Sequence, residues 1–121
     1  MLRRQTVLFS FTLLAAPVAN ECTPKPLPCE VQTVFKAKCQ SCHANPLTND
    51  VPMPLVTYAD TQAPAASNAA EQVWQRIRVR IESTVNPMPP AQAAPLTQAE
   101  RDVLRAWLAQ NAPPGTVTCA P

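Results

Sequence analysis

Glycine and histidine are almost absent from this 121-residue chain. Gly115 is the single glycine, so the chain has little of the turn chemistry that thioredoxin-like folds use. His43 is the single histidine, which excludes a histidine-rich zinc centre and a catalytic triad with a second imidazole. Any chemistry that needs an imidazole of this chain must therefore use His43.

The chain also lacks a large net charge of either sign. Two of the ten Lys and Arg residues, Arg3 and Arg4, lie at the start of the chain, which leaves eight against eight Asp and Glu residues. This balance gives nucleic-acid binding no electrostatic support. Beyond about the first twenty residues, no apolar run is long enough to cross a membrane.

The first residues have the pattern of an export signal. Arg3 and Arg4 give a basic start, residues 7–16 are apolar, and Pro17-Val18-Ala19 ends the stretch with small residues. Because the apolar run is short for a membrane span, we expect residues 1–19 to be a signal peptide that is removed. The protein would then act in the periplasm or at the outer face of a membrane, where cysteines meet oxidising conditions.

The five residues from Cys39 to His43 carry the strongest functional signal. They read Cys-Gln-Ser-Cys-His, and C-x-x-C-H is the pattern to which haem c is covalently attached. Two thiols one helical turn apart can each add to one vinyl group of a porphyrin edge. A histidine on the same side of that turn can bind the iron. We therefore predict thioether bonds at Cys39 and Cys42 and a proximal iron ligand at His43. With one histidine, the second ligand must be Met, Lys, water or another molecule.

Two other kinds of site use a C-x-x-C pair. A thioredoxin-like dithiol normally lies near a βαβ pattern, and none is visible here. A zinc site normally has a second Cys or Cys/His pair at similar spacing, which Cys22, Cys29 and Cys119 do not form. A redox dithiol and a zinc site remain the alternatives to haem.

Three helices are predicted in the remaining stretch of about 100 residues, each with an apolar stripe at helical spacing. They run from about Cys29 to the C-x-x-C-H motif, from an Asn68/Glu71 capping pair to about Ser83, and from a Thr97/Glu100 capping box to about Gln110. Residues 20–28 form a proline-rich lead-in, and no segment reads convincingly as a strand. Proline-rich loops over residues 44–66 and 86–95 connect the helices, and loops of such length are usually functional.

The order of these features resembles that of the small class I c-type cytochromes. C-x-x-C-H ends the first helix, Met88-Pro89-Pro90 follows the middle one, and the last helix contains Leu104 and Trp107. The resemblance covers nearly all of residues 29–121, which we expect to be one cytochrome c domain. It implies an all-α, cytochrome c-like fold with three main helices and long Pro-rich loops wrapped around a covalently attached haem. It also implies that Phe35 and Trp107 pack where the first and last helices cross.

The same resemblance implies a distal methionine ligand from a proline-flanked loop, and Met88 matches it. Prolines on both sides stiffen the backbone, so a weak thioether ligand has less entropy to lose when it binds. Met53, also between prolines, is the less favoured alternative. The resemblance further implies that a proline carbonyl, of Pro52 or Pro54, accepts the Nδ1–H of His43, which would fix the ring.

Other side chains have weaker signals. Arg76, Arg78 and Arg80 could bind the haem propionates, because guanidinium groups suit carboxylates. Arg76 and Arg80 share one helix face, so this pair is the better candidate. We expect at least two of the three arginines to lie on a solvated face. Tyr58 and Trp74 could contact the haem or fill ordinary core positions.

Three cysteines remain after haem attachment, an odd number. If the terminal helices pack as the resemblance implies, a disulfide between Cys29 and Cys119 would join their ends. Cys22 could replace Cys29 in that bridge, or it could be lipidated, although Asn20-Glu21 is a poor lead-in for a lipoprotein cysteine.

Together these features predict an exported electron-transfer protein with one haem c and His43/Met88 ligation. It would meet redox partners transiently, as a monomer or within a larger redox complex. We do not expect an enzyme, since no substrate bond is made. Two alternatives keep the haem: an open distal site that binds a gas or reduces peroxide, and a haem subunit of a larger dehydrogenase or oxidase.

Overall fold

The computed structural model describes residues 23–121, so the predicted signal peptide and Cys22 lie outside the described residues. The elements are, in chain order, α1 (Cys29–Lys38), α2 (Tyr58–Gln62), β1 (Pro64–Ala65), β2 (Asn68–Gln72), α3 (Val73–Glu82) and α4 (Gln98–Ala109). The two strands pair antiparallel, with Pro64 opposite Gln72. The fold is therefore mainly helical, but it also contains a short β-ribbon, which the sequence patterns did not predict.

Helix α2 lies inside the segment that was predicted to be an extended loop, so that prediction is wrong in part. The Thr57 hydroxyl accepts a hydrogen bond from the backbone N–H of Asp60 at 3.2 Å, and the Asp60 carboxylate accepts one from the N–H of Thr57 at 2.7 Å. This reciprocal pair is a capping box in which Asp takes the place of Glu. It starts a helix of one turn even among prolines.

The predicted start of the middle helix is also wrong. Residues Asn68–Gln72 form β2, and α3 begins at Val73. The Asn68 side chain accepts from the N–H of Ala70 at 3.1 Å, a local turn that competes with helix capping. At the true start, the Gln75 side-chain oxygen accepts from the N–H of Gln72 at 2.7 Å.

Helices α1 and α4 pack against each other at the centre of the core. The rings of Phe35 and Trp107 meet edge to face, with centroids 6.0 Å apart and planes at 83°. Val31, Leu104 and Leu108 are buried around them. The aromatic contact expected from the resemblance is therefore present.

The segments before α1 and after α4 lie side by side. The N–H of Gly115 donates to the Pro26 carbonyl at 2.9 Å, and a Cβ at Gly115 would lie 2.7 Å from the Leu27 oxygen, too close for any side chain. Further along the chain, Cys119 forms a disulfide with Cys29, and the Cα atoms of the two residues are 5.3 Å apart. Of the cysteine pairings predicted, this is the one that the structure contains. Among residues 23–121, no helix combines the length and the hydropathy that a membrane span requires.

Candidate functional site

The C-x-x-C-H residues continue α1 by about one turn. The backbone N–H groups of Cys42 and His43 both donate to the Cys39 carbonyl, at 3.2 and 2.9 Å. Residues three and four positions apart on a helical turn lie on the same side of it. The backbone therefore presents two sulfurs and one imidazole from a single turn.

Neither cysteine of this turn is part of a disulfide, and both are half-buried. Burial, and to a smaller extent the negative charge of Glu100, raises the pKa of the free Cys39 thiol to about 12. Burial thus disfavours the thiolate form of Cys39, which is the form that a redox dithiol would use as its nucleophile at that position. The Asn49 side-chain amide donates to the Cys42 sulfur at 3.1 Å, which orients that side chain.

The His43 side chain is held in one orientation. It is only 7% exposed, and its Nδ1 lies 2.8 Å from the Met53 carbonyl oxygen. Since a carbonyl can only accept, Nδ1 carries the proton and the lone pair of Nε2 is free to bind a metal. The predicted acceptor was the carbonyl of Pro52 or Pro54, and this prediction is wrong because the residue between the two prolines supplies the oxygen.

Two more hydrogen bonds hold the chain segment that supplies this carbonyl. The N–H of Leu55 donates to the His43 carbonyl at 2.8 Å, and the side chain of Gln40 donates to the Leu55 carbonyl at 2.9 Å. Leu55 itself is buried in the core. Sequence patterns did not indicate these contacts, because a backbone carbonyl leaves no residue-type signature.

Met88 lies on the loop between α3 and α4. Its backbone N–H donates to the Arg80 carbonyl at 3.0 Å, which ties the loop to the end of α3. The half-buried side chain lines a cavity of about 400 Å³. The other walls of this cavity come from the end of α3, the rest of the proline-rich loop and Arg101 of α4, and no residue of the 39–43 turn is among them. The structure thus brings Met88 to a concave surface beside α3.

The arginines of α3 differ in their partners. Arg76 pairs with Glu71 at 3.4 Å, whereas Arg80 forms no ion pair with any residue in the described range. Arg78 donates to the Leu108 carbonyl at 2.7 Å and lies over the Trp74 ring, 5.0 Å from its centroid. Arg78 therefore joins α3 to α4.

The two aromatic residues with possible haem contacts also make contacts within the protein. The Tyr58 hydroxyl donates to the Ala112 carbonyl at 3.2 Å, and the Trp74 indole N–H donates to the Gln72 side chain at 2.6 Å. Trp74 is buried against the core, and Tyr58 packs at its margin. These contacts fit structural roles for both side chains.

Among residues 23–121, no group of three or more His, Cys, Asp or Glu side chains is placed so that it could hold a metal ion. What the turn does offer is two thiols outside any disulfide and an imidazole with Nε2 available. These are the groups that a covalently attached haem needs.

The family model described as Cytochrome c matches residues 30–112 of this chain. The matched range begins within α1 and ends just after α4, so it includes the C-x-x-C-H turn and Met88. No curated protein and no solved structure matched the chain.

Proposed function

Since this chain belongs to the cytochrome c family, a family of electron-transfer proteins with covalently attached haem c, we propose that it is an exported one-electron carrier. It would act in the periplasm or at the outer face of a membrane, and it would pass electrons between redox partners rather than catalyse a reaction of its own. When bound, haem c supplies a one-electron couple between ferric and ferrous iron. The chain's own residues attach it, orient it and set its properties.

The orientation of His43 is the observation that carries this proposal. Its Nδ1–H is held by the Met53 carbonyl at 2.8 Å, so Nε2 is the nitrogen left for the iron. Such a bond fixes the tautomer and raises the basicity of the ring as a ligand. Cys39 and Cys42, on the same turn, would each add their S–H across one vinyl group, with carbon–sulfur bond formation and transfer of the hydrogen to the neighbouring carbon.

Met88 is the better candidate for the second axial ligand. The Met53 carbonyl lies on the Nδ1 side of the His43 ring, which faces away from a metal bound at Nε2. Met53 therefore belongs to the proximal side, while Met88 extends from a different loop, anchored to the end of α3. Prolines on both sides of Met88 restrict its backbone, so fewer conformations are lost when the thioether binds.

Two consequences follow for electron transfer. With His43 and Met88 bound in both oxidation states, the protein would rearrange little when an electron arrives or leaves. A thioether ligand favours the reduced state and raises the potential. Arg80 is the better candidate for a propionate contact, because Arg76 is already paired with Glu71 while the Arg80 backbone adjoins Met88.

Binding of carbon monoxide to the reduced protein distinguishes an electron carrier from a haem protein with an open distal site. The chain would be expressed with its leader in a host that matures haem c, and the purified protein reduced and exposed to the gas. We expect a reversible one-electron titration, a weak red charge-transfer band in the ferric state, and little binding of carbon monoxide.

The matched control is Met88→Ala, which opens the distal position and should bind the gas readily. Rapid binding by the unmodified protein, together with turnover of peroxide, would contradict the carrier proposal and favour the open-site alternative.

A further inference from the structure

Three hydrogen bonds join residues 53–55 to the C-x-x-C-H turn. His43 Nδ1 donates to the Met53 carbonyl at 2.8 Å, the Leu55 N–H donates to the His43 carbonyl at 2.8 Å, and the Gln40 side chain donates to the Leu55 carbonyl at 2.9 Å. The first two bonds use backbone carbonyls and the histidine itself. Only the third depends on a residue that the motif leaves free to vary.

The Gln40 contact is placed where it can control the others. The side chain is half-buried, so its amide competes with little water. It donates to the carbonyl of Leu55, which is 4% exposed and packed in the core. Leu55 follows Met53, whose carbonyl accepts from the histidine ring, by two residues. A bond at Leu55 therefore restricts how far Met53 can move away from Nδ1.

We infer that Gln40 is a positioning residue for the proximal iron ligand, acting through residues 53–55 rather than by touching the haem. The inference rests on the proposed function, since it takes His43 as the ligand. The chain would thus use the first variable position of the C-x-x-C-H motif to set the strength of the His43 Nδ1–H bond.

Two measurable properties depend on that bond. A weaker Nδ1–H bond lowers the basicity of the imidazole, which stabilises ferric iron less and moves the reduction potential upward. It also exposes the Nδ1 proton to solvent more often. Loss of one neutral hydrogen bond of ordinary strength corresponds to exchange that is about fivefold faster.

Two variants and one control test the inference. Gln40→Leu keeps the approximate length and shape of the side chain without its donor, and Gln40→Glu keeps the shape but cannot donate when ionised. The control Gln110→Leu makes the same substitution and removes an exposed bond, from the Gln110 side chain to the Ala106 carbonyl at 3.0 Å, far along the chain from His43. The His43 Nδ1–H exchange rate would be measured by NMR in the ferrous protein, and the potential by spectroelectrochemistry.

We expect exchange about fivefold faster in both Gln40 variants, an upward potential shift in Gln40→Leu, and neither change in Gln110→Leu. A haem-stained Gln40→Leu protein with unchanged exchange and potential would overturn this inference alone. An equal effect in Gln110→Leu would also overturn it, because the effect would then be general loosening. An unstained band from the unmodified chain would instead overturn the proposed function, and the inference with it.

Discussion

The helices and the loops of this molecule are held together in different ways. We call α1, α3 and α4 the helical frame, and residues 43–55 and 83–96 the ligand loops. The helices of the frame pack through buried side chains, such as the edge-to-face pair of Phe35 and Trp107, and the Cys29–Cys119 disulfide joins α1 to the segment that follows α4. The ligand loops are fixed mainly by hydrogen bonds to backbone carbonyls.

This difference separates stability from redox properties. Substitutions at the buried contacts, the disulfide and the caps of the frame should change the free energy of unfolding and leave the iron nearly unaffected. Substitutions in the ligand loops should change the spectrum or the potential and cost little stability.

Removal of the disulfide should have the largest effect on stability. The bridge joins residues 90 positions apart, and the chain-entropy model gives about 4.6 kcal/mol for a loop of that length. We expect the double variant Cys29→Ser/Cys119→Ser to lose up to ~4.6 kcal/mol of unfolding free energy in denaturant titrations, with the ferric band and the potential unchanged.

Cys22→Ser is the matched control for that experiment, because it removes a cysteine that takes no part in this bridge. A clear change in the potential of the double variant would break the division between frame and loops.

Loss of Met88 should have the largest effect on the iron. In Met88→Leu the thioether is replaced by a side chain of similar volume that cannot bind a metal. We expect the ferric charge-transfer band to disappear and the potential to fall by an amount on the order of 0.1 V.

Met53→Leu is the control for Met88, since it makes the same change on the proximal side and keeps the Met53 backbone carbonyl. Its spectrum should match that of the unmodified protein. If the band survives in Met88→Leu and disappears in Met53→Leu, the distal assignment is reversed.

The N-cap of α4 should contribute moderately to the frame. The Thr97 hydroxyl accepts from the N–H of Glu100 at 3.2 Å, and the Glu100 carboxylate accepts from the N–H of Thr97 at 2.8 Å. Thr97→Ala should lower the unfolding free energy by about 1 kcal/mol, measured by thermal denaturation. Thr97→Ser keeps the hydroxyl and should be nearly neutral; equal losses in both variants would mean that the cap is not the cause.

Arg80 should have the smallest effect. A propionate contact from Arg80 would bring a water-screened positive charge near the haem, which would favour the reduced state by an amount on the order of 20 mV. We expect Arg80→Gln to lower the potential by about that much, and Arg76→Gln, whose charge is already paired with Glu71, to lower it less. The reverse order would assign the propionate contact to Arg76.

The sequence patterns were most informative about the frame. Apolar spacing located α1 and the Thr97/Glu100 box located the start of α4, because both signals depend on residue type. They failed over residues 57–72, where a Thr-x-x-Asp cap starts α2 and a local turn at Asn68 competes with capping. Both are local contacts, between residues three and two positions apart, and the apolar spacing used to locate helices does not register them.

The candidate site divides along the same line. Its chemical groups, Cys39, Cys42 and His43, could be identified from the motif alone. The sequence could not identify the carbonyl that accepts from His43, because every residue has a backbone carbonyl. It could not identify the contacts of Gln40 and Asn49 either, because the type of a polar side chain does not reveal its partner.

Covalent attachment of haem at Cys39 and Cys42 is tested most directly by peptide mapping of the exported protein, using mass spectrometry after denaturation and alkylation of free thiols. We expect the peptide containing residues 39–43 to be heavier by one haem and to carry no alkyl group on Cys39 or Cys42. A peptide without haem and with both cysteines alkylated would contradict it.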